Sequence, residues 1–488
     1  MNIVIVGGGT AGWICAYYLQ KSVPACNITV IESSQVGIIG AGEAGTHIIG
    51  SIIDGQNIAS DFDIKEFIIK TDAAYKHGVK HRGWTPANTS YYNPLDLNQS
   101  TDPAVDDYLA WQIFNNDPIH PISDVGLLIY NKRTVIYKDE SGFAPFKGYS
   151  YHFDGKLVGQ FFKDKTSNAT VIDSIVEQVI LDESGNIQSI LLDNQNTIYG
   201  DLFIDCSGFA KILSNAVGAK WVSYKNNLLM NSALPFQLNY EPPCDVEPVS
   251  IATALSAGWF WQLSLADRWG CGYVFCDQFI NFNQAQQEIE NFIGEEITPI
   301  KQIKFDPGRL DRVWIKNCVS LGLASAFVEP LEATSIHTTI MQIQKLSTLL
   351  KNEITDKDIN DYNNEVATAY DEIKEFIVLH YMGGRDDSEF WRTVSSQTCT
   401  DFVRNILNIA KHRLLTAADI PNKNTNISYQ AWNQTLAGLG LFSKETVSNH
   451  LKDKNIKDQY YKWKTDLTTR MEQCKSIDDI LENGKFKL

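Results

Sequence analysis

The chain opens on a short apolar run, residues 2–6, then passes through a glycine-rich segment, 7–12, into a stretch, 13–21, whose apolar positions recur at helical spacing. A second apolar run, 27–32, closes the unit. The pattern predicts strand, glycine turn, helix, strand: a compact βαβ opening. Residues 61–75 then read as helical and 79–84 as extended. The middle of the chain, about 125–320, carries short β-type runs at 125–130, 134–137, 170–181, 187–192, 202–205 and 272–275. After about 324 the texture changes. Residues 336–351, 356–380, 400–411 and 443–464 place apolar positions at the helical period. No internal repeat, low-complexity tract or Gly/Ser linker separates these regions.

Composition narrows the class without naming it. At 488 residues, 44% hydrophobic and 20% charged, the chain has the balance of a globular protein with a large core. A formal net charge of −16 argues against nucleic acid or an anionic membrane as partner. The nine cysteines are odd in number and form no CxxC pair, which favours reduced thiols in the cytoplasm over disulfides or a zinc site. The apolar start lacks a basic leader segment and is broken by glycines, and no run approaches the roughly 20 apolar residues of a membrane helix. The expectation is a soluble, cytoplasmic protein, and nothing speaks against a homo-oligomer.

The glycine turn carries the first chemistry. Gly7, Gly9 and Gly12 occupy the three glycine positions of GxGxxG, with Gly8, Thr10 and Ala11 between them. The first permits the tight turn, the second lets backbone amides reach a pyrophosphate, and the third lets helix and strand pack closely. Glu32 ends the next strand twenty residues beyond Gly12, where a carboxylate accepts from ribose hydroxyls. Residues 201–208 form a further strand ending in Asp205, as in the second crossing of two-domain flavoproteins. No second GxGxxG exists to hold a nicotinamide cofactor. The fold class is therefore α/β: a Rossmann-like FAD-binding fold merged with a mixed β-sheet substrate region and followed by a helical cap. The expected division is residues 1–330 and 331–488.

Ordered segments along residues 2 to about 392 then resemble the flavin-dependent tryptophan-halogenase family. Residues 3–13, IVIVGGGTAGW, look like its FAD signature, including Trp13. Residues 38–46, IIGAGEAGT, look like its second flavin-contacting loop and add Ala41 and Glu43 to the cofactor residues. YHFD at 151–154, DLFIDCSGF at 201–209, NCVSLGLASAFVEPLEAT at 317–334 and LHYMGGRDDSEFW at 379–391 also fit. The family's W-x-W-x-I-P motif keeps Trp259 and Trp261 here but has Leu263 and Ser264 in place of Ile and Pro. The resemblance implies that these tryptophans wall the passage between flavin and substrate. It also implies FADH2 delivered by a separate flavin reductase, a halide ion as co-substrate, and a small electron-rich aromatic, indole- or phenol-like, as acceptor.

The same resemblance assigns a catalytic pair. Lys76, in AAYKHGVKHRGW at 73–84, matches the family's essential lysine, with Lys80 the nearby competitor. Its ammonium could hydrogen-bond hypohalous acid, or its amine could form a haloamine, and either would localise a diffusible oxidant beside one carbon. Glu332 matches the partner glutamate of a P-L-E-S-T-G-like loop, to polarise the halogenating species or take the ring proton. Glu329 lies close by. Thr334 and Ser335, leading into the helix expected from 336, offer backbone amides for the halide. Ala333 and Ser335 stand where the family usually has Ser and Gly. His77 and His81 are four apart but have no evident third ligand, so no metal is expected. Two other readings share the flavin fold: an FAD-dependent aromatic monooxygenase, and a degenerate flavin-binding protein without halogenase activity.

Overall fold

The computed structural model describes residues 1–37, 41–53, 62–97, 102–116, 149–239, 247–420, 427–452 and 455–471, with a few isolated positions outside these runs. The expected βαβ opening is present as strand Asn2–Val6, helix Thr10–Ser22 and strand Asn27–Glu32. These strands lie at the centre of a six-stranded sheet ordered Trp314–Ile315, Cys318–Ser320, Leu202–Asp205, Asn2–Val6, Asn27–Glu32 and Ala169–Asp173. Neighbours pair in parallel except at the edge, where Trp314–Ile315 runs antiparallel. Asn2–Val6 and Leu202–Asp205 are buried almost throughout, which is why they read as continuous apolar runs. Helices Thr10–Ser22, Gly155–Lys165 and Thr334–Leu349 pack against this sheet in one core.

A second sheet has seven strands. Its order is Ile303–Lys304, Ser232–Asn239, Arg268–Phe275, Gly258–Ser264, Val249–Ala254, Gly78–Arg82 and Ser90–Pro94. Its pairs are antiparallel except that Gly78–Arg82 runs parallel to Val249–Ala254. Residues of the helices Asp356–His380, Glu389–Gln397, Asp401–Ala410 and Tyr429–Gly438 share a core with this sheet. The helices beyond 330 thus divide between the two cores: Thr334–Leu349 joins the first, and those beyond 389 join the second. A small three-stranded sheet, Glu43–Ala44, Ser150–Phe153 and Ala74–Lys76, joins the two regions along the chain.

Three expectations are corrected. The helix expected over 61–75 is Ile64–Lys70 only; Asp72 adopts φ +50°, ending it, and the chain enters the strand Ala74–Lys76. The run 170–181 is two strands, Ala169–Asp173 and Val176–Leu181, in different sheets. Asp193 breaks it by accepting from Ser174 Oγ and from the Ile175 amide, the latter at 3.1 Å. The helix expected over 443–464 is Lys444–Leu451 followed by Ile456–Met471. The runs 125–130 and 134–137, residues 38–40 of the second flavin loop, and Cys244 lie wholly or mostly outside the described residues. The eight described cysteines are free thiols, and no described helix is long and apolar enough to cross a membrane.

Candidate active site

The glycine turn is shaped for a phosphate. Gly7 has φ +120°, and a Cβ there would meet the Cys206 carbonyl oxygen at 2.2 Å. A Cβ on Gly12 would lie 1.9 Å from the Gly7 carbonyl oxygen. One on Gly9 would meet nothing within 4 Å. Gly9 is the N-cap of helix Thr10–Ser22, and no side chain caps that end. Its first amides, at Thr10, Ala11 and Gly12, are therefore free to bind an anion, as the pyrophosphate of FAD requires. Glu32 stands beside the turn: Oε2 accepts from Trp13 Nε1 at 3.1 Å, and Oε1 pairs with Lys163. These residues fit the group. Gly12→Ala should cost about 1–3 kcal/mol of stability through overpacking and weaken FAD binding at least about tenfold. Thermal melts and flavin titration check both; undiminished affinity would show that the turn does not carry the cofactor.

The other residues expected at the cofactor behave differently from one another. Glu43 is half-buried on its strand, and desolvation of its carboxyl together with the Asp154 charge pushes its pKa up to about 7. Ala41 is buried at the start of the same loop. Asp205 is consumed by the protein itself. Its oxygens accept from the amides of Ser207, Leu213 and Ser214 and from the hydroxyls of Ser207 and Ser214. The geometry gives this carboxylate the task of fixing the turn after its strand.

Lys76 ends the strand Ala74–Lys76, opposite Ser150. It is fully buried, and Nζ donates to the Gly45 carbonyl oxygen at 2.9 Å. Burial pushes its pKa down to about 7, with the Glu332 charge working in the opposite direction. Such a lysine is present as both ammonium and amine near neutral pH, whereas an exposed one is almost all ammonium. Lys80 is engaged elsewhere. Its Nζ pairs with Glu247 Oε1 at 2.5 Å and lies over the ring of Tyr92.

Glu332 lies in the loop before helix Thr334–Leu349. Its Oε1 sits at 2.8 Å from His81 Nε2, 2.9 Å from His380 Nε2 and 2.9 Å from Asn93 Nδ2. Burial would raise the carboxyl, but the hydrogen bonds from His380 and His81 outweigh it and hold the group well below the usual carboxylate range. Strand pairing supplies two of the partners. Val79 faces Asn93, so His81 and Asn93 are diagonal neighbours on one face of adjacent strands. The third, His380, comes from the C-terminal end of helix Asp356–His380. Burial pushes His81 down to about 4 in spite of Glu332, leaving it a neutral ring that donates through Nε2. Among the described residues, one triad of potential metal ligands converges, His81, Glu332 and His380, with ligand atoms within 4.8 Å of one another. Oε1 is here surrounded by three nitrogens. His77, by contrast, is buried with neither ring nitrogen bonded.

Trp259 and Trp261 share a face of strand Gly258–Ser264, with ring centroids 6.3 Å apart. Gly272 on the neighbouring strand makes the room, since a Cβ there would lie 2.1 Å from the Trp261 ring. Trp259 Nε1 donates to Glu329 Oε2 at 2.7 Å, and Tyr381 OH donates to the same oxygen at 2.5 Å. Burial pushes Glu329 up to about 7. It is held against Trp259 and Tyr381. With Ser264 in place of proline, the strand keeps its ladder, Ser264 pairing with Trp269, and the Ser264 carbonyl oxygen lies 3.1 Å from His152 Nδ1.

The helix expected from 336 begins at Thr334. Thr334 and Ser335 are thus its first two residues, and their amides lack intrahelical acceptors. Thr334 Oγ1 is buried with no hydrogen-bond partner. The N-cap is Ala333, held at φ +55°, so the strained position is 333 while Ser335 is ordinary helix. Asn93 escaped the sequence reading, which weighed His81 only as a metal ligand and Glu329 only as a neighbour of Glu332. The segment 379–391 pointed at His380 without giving it a partner.

A family model described as tryptophan halogenase matches residues 2–453. The tryptophan 6-halogenase SttH of Streptomyces toxytricini is 31% identical over 439 residues, 82% of each chain. Its crystal structure superposes with a TM-score of 0.88 at 27% identity, covering 98% of this chain and 99% of that one. The tryptophan 7-halogenase RebH of Lentzea aerocolonigenes is 29% identical over 487 residues, 90% of this chain and 89% of its own. A flavin-dependent halogenase from Xanthomonas campestris gives a TM-score of 0.88 at 26% identity, covering 98% and 97%.

Proposed function

The chain belongs to the tryptophan halogenase family, enzymes that depend on flavin, and from that premise we propose how its own residues run the reaction. FADH2 comes from a separate flavin reductase, in a cytoplasmic setting that also supplies the reductant. Bound reduced flavin supplies, with O2, the oxidising equivalents that convert halide to hypohalous acid. The amides of Thr10, Ala11 and Gly12 hold the pyrophosphate, Glu32 turns to the ribose beside Trp13, and the loop containing Ala41 and Glu43 covers the ring system. The amides of Thr334 and Ser335, on the positive end of their helix, hold the halide. Trp259 and Trp261 line the way to Lys76 and keep the organic substrate apart from the flavin.

At Lys76 the halogen is captured. Its ammonium hydrogen-bonds hypohalous acid, or its amine exchanges N–H for N–halogen with release of water. The aromatic ring attacks the halogen and a carbon–halogen bond forms as the O–halogen bond breaks, the Lys76 ammonium protonating the departing hydroxide to water. In the haloamine route the N–halogen bond breaks instead and a proton returns Lys76 to its amine. By either route the ring becomes cationic. Loss of the ring proton to Glu332 restores aromaticity. That cation is a strong acid, so a carboxylate held low still accepts its proton. The substrate is an indole- or phenol-like aromatic. The observation that carries this reading is Lys76 itself, buried, brought to about 7 and coupled to an ionised carboxylate.

The test is to incubate the protein with FAD, a flavin reductase, NADH, an electron-rich indole and each of chloride, bromide and iodide, following products by mass spectrometry. A product with one hydrogen replaced by halogen, formed only when halide and reductase are both present, is expected. An oxygenated product formed without halide would replace this reading by a monooxygenase. Flavin binding with no product from a broad panel of aromatics would replace it by a degenerate flavoprotein.

A further inference from the structure

The three nitrogens around Glu332 Oε1 do not play equal parts. Asn93 donates through its amide, and neutral His81 donates through Nε2. His380 differs because its other nitrogen is already committed. His380 Nδ1 lies 2.8 Å from the carbonyl oxygen of Phe376, one turn back on the same helix. A carbonyl only accepts, so Nδ1 carries a proton. In a neutral ring Nε2 would then present a lone pair to the Glu332 oxygen 2.9 Å away, two acceptors in contact inside a buried site. The alternative partner for such a lone pair, the second N–H of Asn93 Nδ2, is farther, at 3.4 Å, and would not relieve the 2.9 Å contact with the carboxylate. The shorter contact is relieved only when Nε2 carries a proton as well.

We propose that His380 is doubly protonated in the resting enzyme and acts as a positioning residue, clamping Glu332 Oε1 through a charge-assisted hydrogen bond and leaving Oε2 for the reaction. This rests on the role given to Glu332 above. His380 has its surroundings arranged for it. Its ring is fully buried, tilted against His81 with centroids 4.6 Å apart and edge-on to Phe376 at 4.9 Å. The charged and titratable groups around it are Glu332 and His81, with the Tyr91 ring at 6.3 Å and the Glu329 charge behind the tryptophans. The anion that a doubly protonated ring would pair with is in direct contact, Glu332 Oε1 at 2.9 Å. The pair His380–Glu332 is then neutral as a unit. Thr435 Oγ1 donates to Asn93 Oδ1 at 3.2 Å, which turns the Asn93 amide toward Glu332 and completes the clamp.

The experiment uses flavin-loaded enzyme with ¹⁵N-labelled histidine, the His380 ring being identified by its loss in His380→Gln. Nitrogen shifts at neutral pH showing both ring nitrogens protonated are expected; a bare Nε2 overturns the proposal. Kinetics give a second reading that needs no spectrum. His380→Phe should lower kcat about 10–100-fold, with KM for the aromatic within about threefold. His380→Gln, which can still donate, should recover part of that loss. A wild-type kcat in His380→Phe overturns the proposal. Lys76→Ala separates the two levels: halogenation surviving there defeats the reading of the site as a whole. A silent Lys76→Ala with a bare His380 Nε2 defeats only the clamp.

Discussion

Lys76→Ala is expected to lower halogenation by about 10³-fold or more, because in the proposed mechanism Lys76 holds the oxidant beside one carbon. FAD affinity should stay within about threefold, since the glycine turn and Glu32 are built from other elements. The comparison is product formation against flavin titration on the same preparation, and halogenation retained in the variant would remove Lys76 from the mechanism. Lys76→Arg should fail equally. The guanidinium is bulkier than the ammonium it would replace in a buried site and does not deprotonate. Lys76→Met makes a further check through stability. The folded pKa of Lys76, about 7, lies below the roughly 10.4 of an unfolded lysine. The unfolded chain therefore binds the extra proton between those values, and wild-type stability rises as pH climbs from about 7 toward about 10. Below about 7 the burial penalty is present in full. The methionine variant, keeping the volume without the charge, should gain most in Tm over wild type in acidic buffer. The gain should shrink as pH rises. An equal difference at every pH would mean that the lysine is not strained by burial.

The parts of the fold and site that were legible in the sequence are those set by short-range pattern or by motif. Asn2–Val6, Asn27–Glu32 and Leu202–Asp205 stood out because a parallel strand covered on both faces leaves an unbroken apolar run. The helix Asp356–His380 stood out because its apolar positions recur at the helical period. Lys76 and Glu332 came from motif resemblance alone; the local pattern even misplaced the lysine at the edge of a helix. What ended that helix was Asp72 at positive φ, a backbone choice that the apolar pattern of 61–75 does not reveal. The surroundings of Glu332 were invisible for a different reason. His81, Asn93 and His380 reach one oxygen from two strands and a helix end, 251, 239 and 48 positions away along the chain. Only packing decides that they meet. Asp205 shows the converse: a residue in a persuasive position whose carboxylate is filled by its own turn.

Glu332→Gln should be nearly as damaging as loss of the lysine, lowering kcat by about 10²–10³-fold. The substitution keeps the shape and removes the anion around which three nitrogens are arranged. All three nitrogens face the position of Oε1, where the amide oxygen can still accept, so the fold should lose little stability, within about 1 kcal/mol. The electrical consequence reaches Lys76. Glu332 works against burial to raise the lysine, so without it the pKa falls further below about 7. If the Lys76 ionisation shapes the pH dependence of kcat, that limb should move to lower pH in Glu332→Gln while the maximum drops. The shift and the loss have separate causes, charge coupling and proton acceptance, and the profile measures them separately. A limb that stays in place would break the coupling between the two residues. A full kcat with a shifted limb would leave Glu332 as an electrostatic neighbour and send the ring proton to another base. Because His380 loses its anionic partner in the same variant, its Nε2 proton should be lost as well, so ¹⁵N shifts recorded on Glu332→Gln test from the carboxylate side whether the pair shares its charge.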